Sequence, residues 1–276
     1  MNKLLRQALL ICICVFTLSA QAAVDSLSEA KDAYAAGNYT EAEKLYRLAA
    51  EKGEVSAQIA LGSMYYIGKV VPEDYKEALK WFTKAAEQGD RKAETNLGMM
   101  YFTGQGVSED YKEAMKWYRL AAAQGGAFAQ FQIGLMYAEG LGVPQNYQEA
   151  VKWYKPIAEQ NFALAQINLA VMYQHGQGVP QDYKEAIKWY SLAAEQGDAS
   201  AQFSLCSMFL KGQGVPKNIV LAHMWANMAA ANETDVNKQK IIIDVRNKLS
   251  ATMTGRQISE AQELARKCTA NNFKGC

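Results

Sequence analysis

From residue 57 onward, apolar and polar positions follow the period of an α-helix, and the pattern itself recurs. Ala57, Ala60, Leu61, Met64 and Tyr65 fall at i, i+3, i+4, i+7 and i+8, the stripe of a half-buried helix. A second kind of stripe shows in Tyr183, Ala186, Ile187, Tyr190 and Ala194, with Trp189 and Ala193 beside it. So wide an apolar face predicts a helix packed on two sides, against its partner and against the next unit. Asp182 is placed to cap that helix, with Glu185 three residues on to reach back; Gly197 ends it and Asp198 starts the next.

The two stripes repeat as a pair. Units start at Ala57, Ala93, Ala129, Ala165 and Ala201, 36 residues apart, each with a methionine (Met64, Met100, Met136, Met172, Met208) and a tryptophan (Trp81, Trp117, Trp153, Trp189, Trp225) in register. Such a period predicts an all-α solenoid of helix-turn-helix units. The connector Gly176-Gln177-Gly178 has the look of a phosphate loop, but a helix precedes it, position 181 is Gln181, and it recurs as GQGV, GLGV and GKVV. It reads as a connector used five times.

The ends depart from the pattern. Residues 25–56 form a first unit in phase with the rest but with a shorter turn: Tyr34 to Tyr39 is five residues where Tyr65 to Tyr75 is ten. In the fifth full unit the outward Lys184, Glu185 and Lys188 become Val220, Leu221 and Met224, which implies a cover. Residues 233–276 supply it as two capping helices, with Ile258, Ala261, Leu264 and Ala265 inward. Pro156, inside a second helix, removes a ladder donor and is expected to kink it.

The recurring A-x-x-x-L-G-x-M-Y-x-x-G-x-G-V-x-x-D-Y-x-x-A-x-x-W frame resembles the Sel-one-like repeat, a relative of the tetratricopeptide repeat with a longer connector. Residues 57–232 match it as five repeats, and 25–56 is more similar to a tetratricopeptide unit. The resemblance implies a right-handed superhelix working as a non-enzymatic adaptor, with a protein or peptide partner in its concave groove.

Composition locates the chain. Lys3 and Arg6, an apolar run over 8–18 and Ala20-Gln21-Ala22 read as a signal peptide over 1–22, so the mature protein is expected in the periplasm or secreted. Of 29 basic residues, losing Lys3 and Arg6 leaves 27 against 28 acidic ones. That balance offers no field for nucleic acid, and no later segment suits membrane insertion. Three cysteines remain; Cys268 and Cys276 are expected to pair in an oxidising compartment, worth about 2–3 kcal/mol by loop entropy. Cys206 replaces Gly62, Gly98, Gly134 and Ala170, a slot that demands a small side chain, and reads as a buried thiol.

Little chemistry is encoded. His175 and His223 stand apart, no metal or cofactor motif is present, and no catalytic residue is assigned. Some cysteine-rich relatives bind or weakly hydrolyse β-lactams, which makes a cell-wall-directed enzyme the alternative. Ser28-Glu29-Ala30-Lys31 matches S-x-x-K, but S-D-N and K-T-G are missing. A secreted host-interaction factor is the other alternative.

Positions that change between units are those packing leaves free. They form one stripe on the first helices: Ile59, Ser63, Tyr66; Thr95, Met99, Phe102; Phe131, Leu135, Ala138; Ile167, Val171, Gln174; Phe203, Ser207, Leu210. Beside them run the amides Asn96, Gln132 and Asn168, suited to a peptide main chain. By resemblance this stripe lines the groove, and its Phe, Met, Leu and Ile content suits an apolar or amphipathic partner segment.

Overall fold

The computed structural model of the protein describes residues 26–271 and 273–276; the signal peptide read at 1–22 lies outside the described residues. Among the described residues there is helix and connection but no strand. Helix α1 runs to residue 35. It is followed by α2 (Tyr39–Glu51), α3 (Val55–Ile67), α4 (Tyr75–Ala86), α5 (Arg91–Thr103), α6 (Tyr111–Ala123) and α7 (Ala127–Glu139). Then come α8 (Tyr147–Glu159), α9 (Ala163–His175), α10 (Tyr183–Ala194), α11 (Ala199–Lys211), α12 (Ile219–Asn232), α13 (Val236–Ser250) and α14 (Gly255–Ala270). The chain forms two compact units, one ending at Ala129 and the other beginning at Gln130.

Local signals set the helix ends. The Asp182 carboxylate accepts from the Lys184 and Glu185 amides, and Asp74 and Asp110 cap α4 and α6 the same way. Glu185 does not complete a capping box. The Asp182 amide is already donated to the Tyr173 carbonyl at 2.9 Å, and the Glu185 carboxylate accepts instead from Lys188 Nζ at 3.2 and 3.3 Å. Helix α8 runs through Pro156 to Glu159 with the proline exposed.

The connector's second glycine has a steric reason. A Cβ on Gly178, whose φ is +73°, would lie 2.4 Å from the backbone of Tyr147, where the preceding second helix begins. Gly106 against Tyr75 and Gly214 against Tyr183 are held the same way, without room for a side chain, whereas the first connector carries Val70 at this position.

In the first unit α2 packs on α3, α3 on α4, α4 on α5 and α5 on α6. The contacts are small against large: a Cβ on Gly98 would stand 2.5 Å from the Tyr118 ring. In the second unit α8 through α12 follow one another, and both α13 and α14 pack on α12. There the small slot is filled by Cys206, 1 % exposed and unpaired, while the ring that faced it in earlier repeats has become Ala226. Volume removed from one helix is returned on the other. Burial pushes the Cys206 thiol up to about 11, so it stays protonated and unreactive.

An amide stitch recurs at the repeat joints. Gln58 donates to the Ala50 carbonyl at 3.0 Å and accepts from Gln88 at 2.9 Å. Gln166 does so with Ala158 and Gln196, and Gln202 with Ala194 and Asn232. One side chain thereby ties its own helix to the end of the helix before it and to the end, or the turn just past the end, of the helix after it, and buried amides without such partners would destabilise the joint.

At the C-terminal end α12 is covered by α13 and α14. Met224 is 2 % exposed, and Leu221 and Met224 face Leu264 and Cys268 of α14 across a narrow cleft. Ala261 and Ala265 are buried, and Ile258 and Leu264 half-buried. The structure joins Cys268 to Cys276, with Cα atoms 5.5 Å apart.

Candidate functional site: the first-helix stripe

In the first unit the stripe lies on α3 and α5. Ile59, Ser63, Thr95 and Asn96 line one shallow cleft of about 380 Å³, with Arg91 and Lys92 at its edge. Met99 is half-buried. Phe102 is turned to its own repeat, and Tyr66 to its own repeat and to the connector of the next. The Tyr66 ring stands edge-on to Tyr75 at 5.4 Å, and its hydroxyl donates to Gln105 at 2.6 Å; Phe102 meets Tyr111 edge-on at 5.2 Å.

In the second unit Leu135, Ala138, Asn168 and Val171 line a smaller cleft of about 110 Å³. Phe131 packs on Tyr154 and Phe162, and Phe203 on Ala229, Ala230 and Ile242, so these two rings join helices. Gln174 accepts from the Tyr190 hydroxyl at 2.9 Å. Ile167 and Ser207 are half-buried and Leu210 is exposed. Gln132 is buried, so its amide is not offered to a bound main chain, unlike the half-exposed Asn96 and Asn168. Each unit therefore brings together a cleft of aliphatic, hydroxyl and amide groups.

No group of three or more His, Cys, Asp or Glu suited to a metal occurs among the described residues. Ser28 and Lys31 are both exposed on α1. His175 is exposed, whereas His223 is buried on α12 with its Nε2 2.8 Å from Ser250 Oγ of α13. Its histidine value is lowered by burial and by Arg246, which suits a neutral contact. No helix among the described residues is long and apolar enough to cross a membrane.

The Sel1 repeat family model matches residues 33–54, 55–90, 91–126, 127–162, 163–198 and 199–233. The chain belongs to the Sel1 repeat family. A Sel1 repeat protein from Oxalobacter formigenes is similar over 88 % of this chain and 99 % of its own, at 34 % identity and TM-score 0.72. c5321, a protective antigen of uropathogenic Escherichia coli strains with the same repeat fold, is 26 % identical at TM-score 0.56, over 91 % of this chain and 62 % of that one. No curated protein matches. The fold is thus the all-α Sel1 solenoid, and Sel1 repeats are modules of protein–protein interaction, with no catalytic family among the matches.

Two features escaped the sequence. A cleft of about 300 Å³ opens among Tyr34, Tyr46, Met64, Ile67 and Val70; its one signal was GKVV in place of GQGV. The other is an ion cluster around Arg47, invisible because its members lie on three helices; Arg47 and Glu43, which stands where the next four repeats carry an apolar residue, depart from the frame.

Proposed function

We propose that this Sel1 repeat protein is an exported, non-catalytic adaptor that holds a partner protein through the variable stripe of its first helices, and so scaffolds or regulates a process of the cell envelope. The observation that carries the reading is the pairing of clefts with variable residues. The positions that change between repeats, Ile59, Ser63, Thr95 and Asn96 in one unit and Leu135, Asn168 and Val171 in the other, are those lining clefts between successive first helices. Half-buried aliphatic groups beside half-exposed amides suit a peptide that offers both side chains and main chain. The export segment over 1–22 supports a periplasmic or secreted site of action, and a protective antigen among the relatives is consistent with it.

The test is site-specific photocrosslinking in the native cell. A photoreactive side chain at Asn96 or Asn168 is expected to trap one partner, and one at Lys116, on the solvated second-helix face, is not. Replacing Met99 and Leu135 by Ser should remove the adduct with helical content unchanged. Equal trapping from all three positions would refute the stripe. N-terminal sequencing of the mature chain checks cleavage after Ala22.

A further inference from the structure

The cluster around Arg47 serves as a template for reading a second site. Arg47 on α2 donates to Glu43 at 3.1 Å, to Glu77 at 3.2 Å and to the Tyr65 hydroxyl at 2.5 Å. Its guanidinium carbon stands 5.8 Å from the Tyr65 ring centre and 6.0 Å from that of Trp81. Glu77 Oε1 also accepts from Trp81 Nε1 at 3.0 Å, so the indole N–H is satisfied by the carboxylate that grips the guanidinium. Lys80 shares Glu77 as well, and the acid accommodates both cations.

Three periods of 36, or 108 residues, further on, Tyr65, Glu77, Lys80 and Trp81 recur as Tyr173, Glu185, Lys188 and Trp189. Arg47 has become Lys155, and Gly53 has become Asn161. Those residues line an open cleft of about 620 Å³ in the second unit. The consequence of losing the guanidinium is visible. Lys155 is exposed and makes no hydrogen bond or ion pair among the described residues. Glu185 holds only Lys188 and is 37 % exposed, against 23 % for Glu77. Trp189 is 5 % exposed and its Nε1 finds no acceptor among the described residues. Lysine is a compact cation without the planar fork by which Arg47 reaches two acids and a hydroxyl at once.

We propose that the cleft lined by Tyr173, Glu185 and Trp189 is a binding site for a guanidinium group, filled by an arginine side chain of a partner protein where the first unit fills its counterpart with Arg47. The incoming guanidinium donates to the Glu185 carboxylate and to the Tyr173 hydroxyl oxygen, with its face against Trp189. Glu185 then accepts from Trp189 Nε1, as Glu77 does from Trp81. Val151 stands where Glu43 stood, so one carboxylate is missing. Glu159 and Asn161 line the cleft and bring other acceptors. Asn161 holds a φ of +65° where four other repeats use glycine, which puts an amide in a place those repeats leave bare. None of these residues belongs to the first-helix stripe, so the two proposals stand or fall separately.

The test follows the indole N–H resonances of the mature chain by nitrogen-edited NMR, with Trp189 assigned through Trp189→Phe. Nα-acetyl-arginine methylamide is expected to shift the Trp189 signal saturably in the millimolar range, with Nα-acetyl-lysine methylamide at least tenfold weaker. Trp81, already occupied, should not respond, and Glu185→Gln should abolish the shift at Trp189. An Ala-Arg-Ala peptide binding more tightly than guanidinium ion assigns the site to a partner's side chain; equal binding overturns that part and assigns it to a free small cation. Lys155→Arg should move the Trp189 signal without any ligand and remove the response to the arginine probe. A Trp189 signal unmoved by both the probe and Lys155→Arg, or moved equally by the lysine probe, overturns the site itself.

Discussion

Glu94 and His223 are both buried at helix joints, and each breaks the repeat in a different way. Glu94 stands where other repeats carry Gln58, Gln130, Gln166 and Gln202, so a carboxyl replaces an amide in the stitch. Its Oε2 accepts from Gln124 at 2.8 Å, but ionised it has no hydrogen to give, unlike the glutamine Nε2 that reaches a carbonyl in the repeats at 58, 166 and 202. His223 stands where the four repeats before it carry the apolar Leu79, Met115, Val151 and Ile187. There an imidazole enters a nonpolar slot and is satisfied on one side only. Ser250 gives its hydroxyl to the Arg246 carbonyl, His223 Nε2–H gives to Ser250, and Nδ1 is left without a partner among the described residues. A joint built on neutral amides is indifferent to pH; each of these exchanges makes its joint sensitive, in opposite senses.

The largest effect should come from breaking an ordinary stitch. Gln202→Ala leaves the Ala194 carbonyl and the Asn232 amide without partners, and a loss of about 2–4 kcal/mol is expected at any pH by denaturant unfolding. A loss below about 0.5 kcal/mol would mean the amide is ornamental and the comparison with Glu94 empty.

Acidification comes next. His223 is shifted down by burial first and by Arg246 second. The folded state therefore prefers the neutral ring, and the stability it contributes is full above the unfolded value near 6.5 and lost as pH falls below it toward the folded value. The expected slope is at most about 1.4 kcal/mol per pH unit. Hydrogen exchange should show α13 losing protection before α9. His223→Leu, which restores the apolar type, should flatten this dependence; an unchanged profile would remove His223 from the account.

The smallest effect is at Glu94, whose carboxyl is raised by burial first and by Asp90, with the Gln124 hydrogen bond opposing. Its contribution is full below the unfolded carboxyl value near 4.3 and is lost as pH rises through the folded value. Glu94→Gln should therefore gain about 0.5–1.5 kcal/mol at pH 7 and nearly nothing near pH 4. A gain equal at both values would show that shape, and not charge, matters there.

Much of this was legible in the chain. The period, the two helices per unit, the cap over Leu221 and Met224 and the small-residue slot at Cys206 all follow from residues spaced along one helix or one period. The Glu185 capping box failed because a tertiary partner, the Tyr173 carbonyl, had taken the amide it needed. Tyr66, Phe102 and Gln174 were read as free because they vary, yet each has a contact within its own repeat or the next helix. Variation between repeats marks freedom from the common frame, and a residue free of the frame still packs locally.

The sequence by itself determined the Sel1 repeat, the helix boundaries and the core, because apolar spacing and caps act over a few residues and each unit repeats the same local problem. The tertiary structure alone decided which variable side chains meet. Arg47 reaches acids on two helices, and its counterpart site at Trp189 stands open, because such meetings depend on three helices at once, and no single stretch of chain records them.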